Sequence, residues 1–544
     1  MATNLPDYVA AAKPVPLDQR TPWYKSTAPT YAGIMLWFVF WQQVPALDGS
    51  IVGGGLAAGL GVAIGSLIVA ALICHYLFYL VPGKLGVKTG LPLYIVGTST
   101  YGVIGGFILP GFLMGCLQFG WLSVNAYFTT GLLCKPFGIG AGSPGFWAVA
   151  VAFIILATVL GIAGIQYVAK VATYLPLLPL AVLIILTVLT IGGVGKFDAK
   201  QFVADAAAPP AASENDEAED DAAAASAEAE EADDEAAEAE EAAESDDAEE
   251  AAEAETEASE EDAAVAEETD DAEDAENEAA AADNKSKPGT PLNVLLVMCT
   301  VVVGFFATAG AAGVDFGMGN RDEKDVQLGG LVGIAGAIVL TGVLSLLIVA
   351  GAYGLGYMKD GVILLTPDVM DKIPALGEKG SGVLWYLLAI AAFPPACFSS
   401  FIAANSFKTT LPKVNPFVSC GIGAAVAAVL VITGAAGNAA GVFTVIGASF
   451  GPVCGAMAAD YLLAGRKWAG PRAGINPAGW VSWAVGFVVG GIDLILGTSY
   501  IPCPPVSAFI VGFVLYFILA KAGLESAVLE MPQADTGEGE SAES

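Results

Sequence analysis

Charge is scarce and unevenly placed. Asp, Glu, Lys and Arg make up 14% of the 544 residues, and 36 of the 56 acidic ones fall between Gln201 and Asn284, an interval without Lys or Arg. The rest of the chain sets 20 acids against 22 bases. That balance offers no basic face for a nucleic acid polymer and no reason to expect an acidic substrate. Histidine occurs once, as His75, within an apolar run where a packed ring is the plain reading. The eight cysteines are scattered through apolar segments without paired spacing, which excludes a disulfide framework and a zinc site as readings. No nucleophile constellation, metal cluster or phosphate loop stands out, so the chain does not read as an enzyme. The first 27 residues hold Lys13, Arg20 and Lys25 and lack a short apolar core followed by a small-residue cleavage site, so the first membrane helix is expected to direct insertion itself.

What the chain does have is apolar length. Hydrophobic residues make up 55% and the mean hydropathy is +0.65. Runs such as Gly53 to Tyr79 and Val294 to Gly313 exceed the roughly 18 apolar residues that mark a membrane helix. The expected fold is an all-α polytopic membrane protein of about twelve spans, near 28–47, 52–81, 103–133, 145–165, 171–194, 292–313, 327–356, 382–406, 416–435, 440–463, 477–498 and 503–521. With the N-terminus inside, 14 Lys and Arg fall on the cytoplasmic side and 8 outside, the bias that sets orientation. The expected organisation is therefore a cytoplasmic N-terminal segment (1–27), helices 1 to 5 (28–200), an acidic extracytoplasmic insert (201–290), helices 6 to 12 (291–522) and a cytoplasmic tail (523–544), in the cell membrane. Like charges repel along the Ala/Glu/Asp insert and it has no apolar stripe to bury, so disorder is expected there.

Two spans read as interrupted. Span 1 carries Gln42-Gln43-Val44-Pro45 and then Asp48-Gly49; span 6 carries Gly304, Gly310 and Gly313 around Phe305-Phe306-Ala307-Thr308. A broken membrane helix must line protein or water to satisfy its freed backbone groups. Two breaks five spans apart are the pattern of an inverted repeat of five plus five helices, with substrate held between them near the midplane.

Four stretches could then converge. Span 1 offers the side chains of Gln42 and Gln43 and carbonyls from Trp41 to Val44 that Pro45 helps to free. Span 3 places Trp121 and Asn125 at i and i+4, an indole for stacking beside an amide for a ring edge. Phe306 is positioned to close the other face of that sandwich. Span 8 supplies Ser399, Ser400 and Asn405, and two adjacent hydroxyls with carbonyls of a broken helix suit a hard cation such as sodium. Asp315 and Asp460, each shortly before an arginine, Arg321 and Arg466, read as anchors at helix ends. Lys170, at the start of span 5, would serve a proton-coupled alternative if drawn toward Ser399 and Ser400.

In order along the chain, Gly86-Val87-Lys88-Thr89-Gly90-Leu91, Tyr101-Gly102, Leu109-Pro110, Gln118 through Trp121, Asp315-Phe316, Ser399-Ser400 with Ala403-Ala404-Asn405, and Gly451-Pro452 leading to Ala459-Asp460-Tyr461-Leu462 resemble the nucleobase:cation symporter family, particularly its cytosine permease branch, with the hydantoin transporter as a more distant relative. The resemblance implies a leucine-transporter-type fold of 5+5 inverted helices plus two, working by alternating access. It implies that Trp121, Asn125, Phe306 and Asn405 hold the substrate; the reading of span 1 adds Gln42 and Gln43 to that set. It also implies that Ser399 and Ser400, with the carbonyls of Ala396, Trp41 and Val44, hold sodium as the coupling ion, and that no cofactor takes part. Phe401 stands where many members place another Asn, and the acidic insert has no counterpart in that pattern. The expected function is sodium-coupled import of a nucleobase, cytosine first, or a related small heterocycle. Alternatives are a proton-coupled symporter of a purine, allantoin or hydantoin-like compound and, in another class, a ligand-binding membrane sensor or channel.

Overall fold

The structure, a computed structural model, describes residues 5–36, 39–207, 287–357 and 366–531. Most of the acidic insert and the end of the C-terminal tail lie outside the described residues, so the expectations for them stay as readings of sequence. Among the described residues all regular structure is helical, with only isolated bridges such as Thr21 to Asn320.

Among the described residues, ten helices are long and apolar enough to cross a membrane. In chain order with the two spans that are short or broken, they are α1 (Thr27–Met35), α2 (Leu60–Thr89), α3 (Thr98–Phe137), α4 (Pro144–Ala163), α5 (Lys170–Lys196), α6 (Pro291–Ala311), α7 (Glu323–Gly354), α8 (Lys379–Thr410), α9 (Pro416–Ile432), α10 (Ala439–Leu463), α11 (Pro477–Leu496) and α12 (Pro504–Lys521). The multi-pass all-helical architecture expected from the apolar runs is therefore present. Local chemistry explains several starts. Ser143, Thr290 and Asn438 each accept a hydrogen bond from an amide in the first turn of α4, α6 and α10, satisfying groups that a helix leaves open at its N-terminus. Proline sits in the first turn of α4, α6, α9, α11 and α12, where its missing N–H costs nothing.

The breaks fall at only some of the glycines and prolines: Gly313 stands at the interruption of span 6, whereas Gly304 and Gly310 do not. α1 ends at Met35, with the Leu36 amide donating to the Ala32 carbonyl, before Gln42 and Pro45 are reached. Pro45 lies near the end of a second helical run, π-helical over Val39–Gln43 and α-helical over Val44–Ala46. That piece stops at Leu47, which takes a left-handed φ of 50°, rare for a branched side chain. In span 6, α6 runs unbroken through Gly304 and Gly310. Those glycines are used for close approach: a Cβ at Gly310 would come 2.7 Å from the Cβ of Phe78 on α2, and one at Gly304 3.2 Å from the Phe443 carbonyl on α10. The interruption comes after Ala311, where a separate short helix, Gly313–Gly317, begins.

α3 is the element that positions the site. Gly102, at φ 81°, kinks its start, and a π-helical stretch, Phe107–Leu113, surrounds Pro110. From Met114 to Cys134 it is regular, so side chains three and four apart share a face. α8 restarts at Phe393 with Pro394 and Pro395 in its first turn, after a 3-10 turn at Ile390–Ala392.

The end of the molecule that carries the N-terminal segment, here the N-terminal face, is closed by polar contacts. Thr21 and Asn320 pair in a parallel bridge, the Val15 amide donates to the Gly90 carbonyl, and the Tyr8 hydroxyl donates to the Val103 carbonyl. On the same face Arg472, 5% exposed, ion-pairs with Asp460 at 2.9 Å and with Glu525 at 2.7 Å. Asp460 also accepts from the hydroxyls of Ser99 and Thr100. Asp460 is thus the helix-end anchor expected, though its partner is Arg472 rather than Arg466. Asp315 likewise anchors, but through the Leu93 amide at 2.9 Å, while Arg321 pairs with Asp325. Burial of the Asp315 carboxyl pushes its pKa up to about 6, and the Leu93 hydrogen bond pulls the other way.

Candidate functional site

A cavity of about 40 Å³ lies among α1, α3, α6 and α8, lined by Ile34, Gln118, Trp121, Asn125, Phe305, Thr308, Pro395, Phe398, Ser399 and Ile402, with Ala309. It is narrow: a water molecule takes up roughly 30 Å³ of liquid, so a ring enters only if side chains shift.

Trp121 is its best-fixed wall. The indole N–H donates to the Thr308 hydroxyl at 3.1 Å, Phe305 meets the ring edge-on at 4.7 Å between centroids, and Phe443 of α10 stacks on it at 5.1 Å. These contacts hold the indole plane in one orientation. Asn125, one turn further along, donates from Nδ2 to the Trp121 carbonyl at 2.8 Å. Its Oδ1 is buried and has no hydrogen-bond partner among the described residues. An orphaned buried acceptor costs on the order of 1–3 kcal/mol, and a ligand donor at the cavity wall would recover that cost. Gln118, one turn before Trp121, completes the polar side of this wall, with Nε2 directed at the Met114 sulfur at 3.5 Å.

The sequence-derived candidates divide into three groups. Trp121, Asn125 and Ser399 line one cavity, as the spacing predicts. Phe306 does not: it is fully buried against Tyr31, at 6.2 Å between ring centroids, and its neighbour Phe305 faces the cavity instead. Adjacent residues on a helix point about 100° apart, so only one of the pair can face α3. Asn405 also does not; it is exposed on α8, a turn past the lining position Ile402. Gln42 lines a different, larger cavity at the far end of α3, and Gln43 is buried outside both.

The expected cation ligands are split as well. Ser400 donates to the Ala396 carbonyl at 3.1 Å, the back-bond common for hydroxyls in membrane helices, and packs on α4, where a Cβ at Gly161 would come 2.5 Å from the Ser400 Cβ. The Val44 carbonyl instead faces the turn at Gly55, 2.5 Å from where a Cβ would sit, and Trp41 is fully buried. The structure therefore does not gather Val44 with Ala396 and Ser400. The reason is the position of the break: carbonyls freed from helical bonding belong to the end of α1, and Ile34 there shares the cavity with Ser399. Lys170 is exposed, so it is not drawn to the serine pair. Sequence reasoning missed Gln118, Phe305, Thr308 and Ile34. Gln118 was accessible from the i, i+3, i+7 stripe with Trp121 and Asn125; the others depend on helix rotations that spacing does not set.

No protein-family model matches the chain, and no curated protein sequence matches it. Solved structures do. The fold is similar to that of Mhp1, a nucleobase-cation-symport-1 family transporter, in a closed conformation with bromovinylhydantoin bound: 14% identity, 95% of each chain covered, TM-score 0.58. The inward-facing conformation of Mhp1 gives 13% identity over 94% of this chain and 95% of that one, with a TM-score of 0.55. A Na+-coupled sialic acid symporter in a substrate-bound outward-open state gives 13% identity over 96% and 93%, with a TM-score of 0.50. At these identities the likeness is one of fold. It bears out the leucine-transporter-type architecture expected from the sequence, and at the level of fold the resemblance to the nucleobase:cation symporters.

Proposed function

We propose that the chain is a secondary active transporter that imports a small planar heterocycle, a nucleobase with cytosine first, by sodium symport with alternating access. The observation that carries this reading is the Asn125 carboxamide, buried with a free acceptor beside the fixed indole of Trp121. A flat ring stacking along the indole presents N–H groups at its edge, and Asn125 Oδ1 takes one of them. Phe305 and Phe398 supply the remaining apolar walls. A site that reads hydrogen bonds discriminates strongly among rings, because a wrong ring leaves the buried acceptor unpaired.

For the coupling ion, Ser399 with the end-of-helix carbonyls near Ile34 replaces the set built on Trp41 and Val44. Sodium and ring would share this cavity wall, so each should tighten the other's binding by the same factor. Work then comes from the sodium gradient and a two-state gate, with no bond made or broken in the substrate. Placement in the plasma membrane with both termini cytoplasmic is part of the proposal and rests on the Lys and Arg bias between loops.

The test is uptake of radiolabelled cytosine into proteoliposomes under an inward sodium gradient. Competing unlabelled hydantoin, uracil, allantoin and purines identify the preferred ring. Uptake that collapses without sodium supports the reading. Uptake driven by pH alone at zero sodium would replace the coupling ion, and non-saturable flux would replace a carrier by a pore.

A further inference from the structure

A second cavity, larger than the one with Trp121, lies apart from it. It measures about 430 Å³ and lies at the end of α3 opposite the N-terminal face, between α3, α4, α8 and the π-helical piece that follows α1. Its volume falls in the range of small-molecule sites, roughly 300–1,000 Å³, whereas the inner cavity has about 40 Å³.

Its walls share the chemistry of the inner site. Tyr127, Phe128 and Trp385 provide aromatic surface, and Gln42 provides a carboxamide able to donate and accept. Lys135 lies 3.8 Å above the Trp385 ring centroid and is held by Asp368 at 2.7 Å and Asp371 at 3.4 Å. The Trp385 indole N–H donates in turn to Asp371 at 2.9 Å. One ammonium against two carboxylates leaves this wall slightly negative, so it suits an uncharged ring and disfavours an anion.

The two cavities are joined by one face of one helix. Trp121, Asn125, Phe128, Leu132 and Lys135 follow each other at steps of four, three, four and three, the period that keeps side chains on a single stripe of α3. The first two line the inner cavity and the last three the outer one. At about 1.5 Å per residue the stripe from Trp121 to Lys135 is about 21 Å long, enough for two flat rings at separate depths.

We infer that the outer cavity is a second binding site for an uncharged planar heterocycle, with Gln42 at the ring edge and Trp385 as an aromatic wall, occupied before the ring passes along α3 to Asn125. This deepens the transport reading and rests on it. The expectation that Gln42 contacts substrate is kept, with its place moved to this outer site.

The test is equilibrium binding of radiolabelled cytosine, and separately of hydantoin, to the purified full chain in saturating sodium. About two ligands should bind per wild-type chain. Gly131 lines the outer cavity, and a Cβ there meets nothing within 4 Å, so Gly131→Phe fills the space without a clash at its base. That variant should bind about one ligand, with the affinity of the remaining site kept; Asn125→Leu should lose the other. Gly140→Phe, equally open at its Cβ and on the same cavity, is the second variant should Gly131→Phe lose its cooperative thermal transition. One ligand per wild-type chain, unchanged by filling the outer cavity, overturns the second site and leaves the transporter reading standing. Binding of neither ring to the wild type overturns both.

Discussion

The two ends of α3 are held by polar clusters of opposite character. At the N-terminal face Arg472, Asp460, Ser99 and Thr100 are buried and joined by short contacts, with Glu525 beside them. At the other end Lys135, Asp368 and Asp371 are each more than a third exposed, and they border a cavity of about 430 Å³ rather than filling one. Buried ion pairs cannot be opened without leaving a charge in a poor solvent, whereas exposed ones are exchanged for water at little cost. Under the transport mechanism proposed above, which requires opening on two sides in turn, the contrast corresponds to a permanent joint and a clasp. Asp460 belongs to α10, Arg472 to the α10–α11 connection and Glu525 to the segment after α12, so the joint fixes helices outside the cavity to the start of α3. The clasp ties the end of α3 to the stretch preceding α8, both of which border the cavities.

The sharpest way to break this comparison is to remove the joint. Arg472→Met leaves Asp460 buried without its cation, a change that costs about 3–5 kcal/mol. We expect a large drop in the melting temperature of purified protein, or failure to accumulate in the membrane. An unaltered melting curve would mean that Asp460 is solvated and that the N-terminal face is looser than its contacts indicate.

Next in size is Asn125→Leu. The acceptor it removes has no partner among the described residues, so stability should hold or rise slightly, while binding of the ring falls roughly 10- to 100-fold, the worth of about 1–3 kcal/mol. Thermal melting and ligand binding measured on one preparation separate the two effects. A loss of stability with unchanged binding would assign Asn125 to helix packing alone.

Phe305 and Phe306 provide a smaller and directional test. Phe305→Ala should weaken ring binding by about tenfold through the lost edge contact with Trp121, worth up to about 1.5 kcal/mol. Phe306→Ala should act on stability, because that ring is fully buried against Tyr31. The reverse result would put α6 one residue out of register with the structure.

These pairs also show what was legible in the chain. The number of helices and the Trp121–Asn125 face were readable, because apolar length and i, i+4 spacing are properties of one segment. The choice between Phe305 and Phe306 was not, since it depends on how α6 is rotated against α3 and α10. Nor was the break in span 1. Proline at Pro45 signals a missing N–H but not how far from it the helix ends: one interruption comes at Leu36, well before it, and the other at Leu47, two residues after it. Gly304 and Gly310 of span 6 misled for a related reason, since close packing against Phe78 and Phe443 demands small residues as firmly as a break does, while Gly313 does stand at the interruption. Asp460 found Arg472 rather than the nearer Arg466 because Gly465 and Arg466 both take positive φ, at 71° and 63°, and turn the chain back toward α3.

The smallest expected effect is at the clasp itself. Lys135→Met removes two exposed ion pairs and a cation placed over Trp385, each worth at most about 1 kcal/mol after solvent screening. Stability should therefore barely move. What should move is access: with the tie between α3 and Asp368 gone, a cysteine-reactive probe should reach Leu132→Cys, buried on the cavity wall, several-fold faster in Lys135→Met than in the parent. Exposed ion pairs weaken with salt, so raising ionic strength in the parent should reproduce part of that acceleration, while no salt should loosen Arg472 from Asp460. Equal labelling rates in both backgrounds would show that the clasp holds nothing shut, and the asymmetry between the ends of α3 would then be one of packing alone.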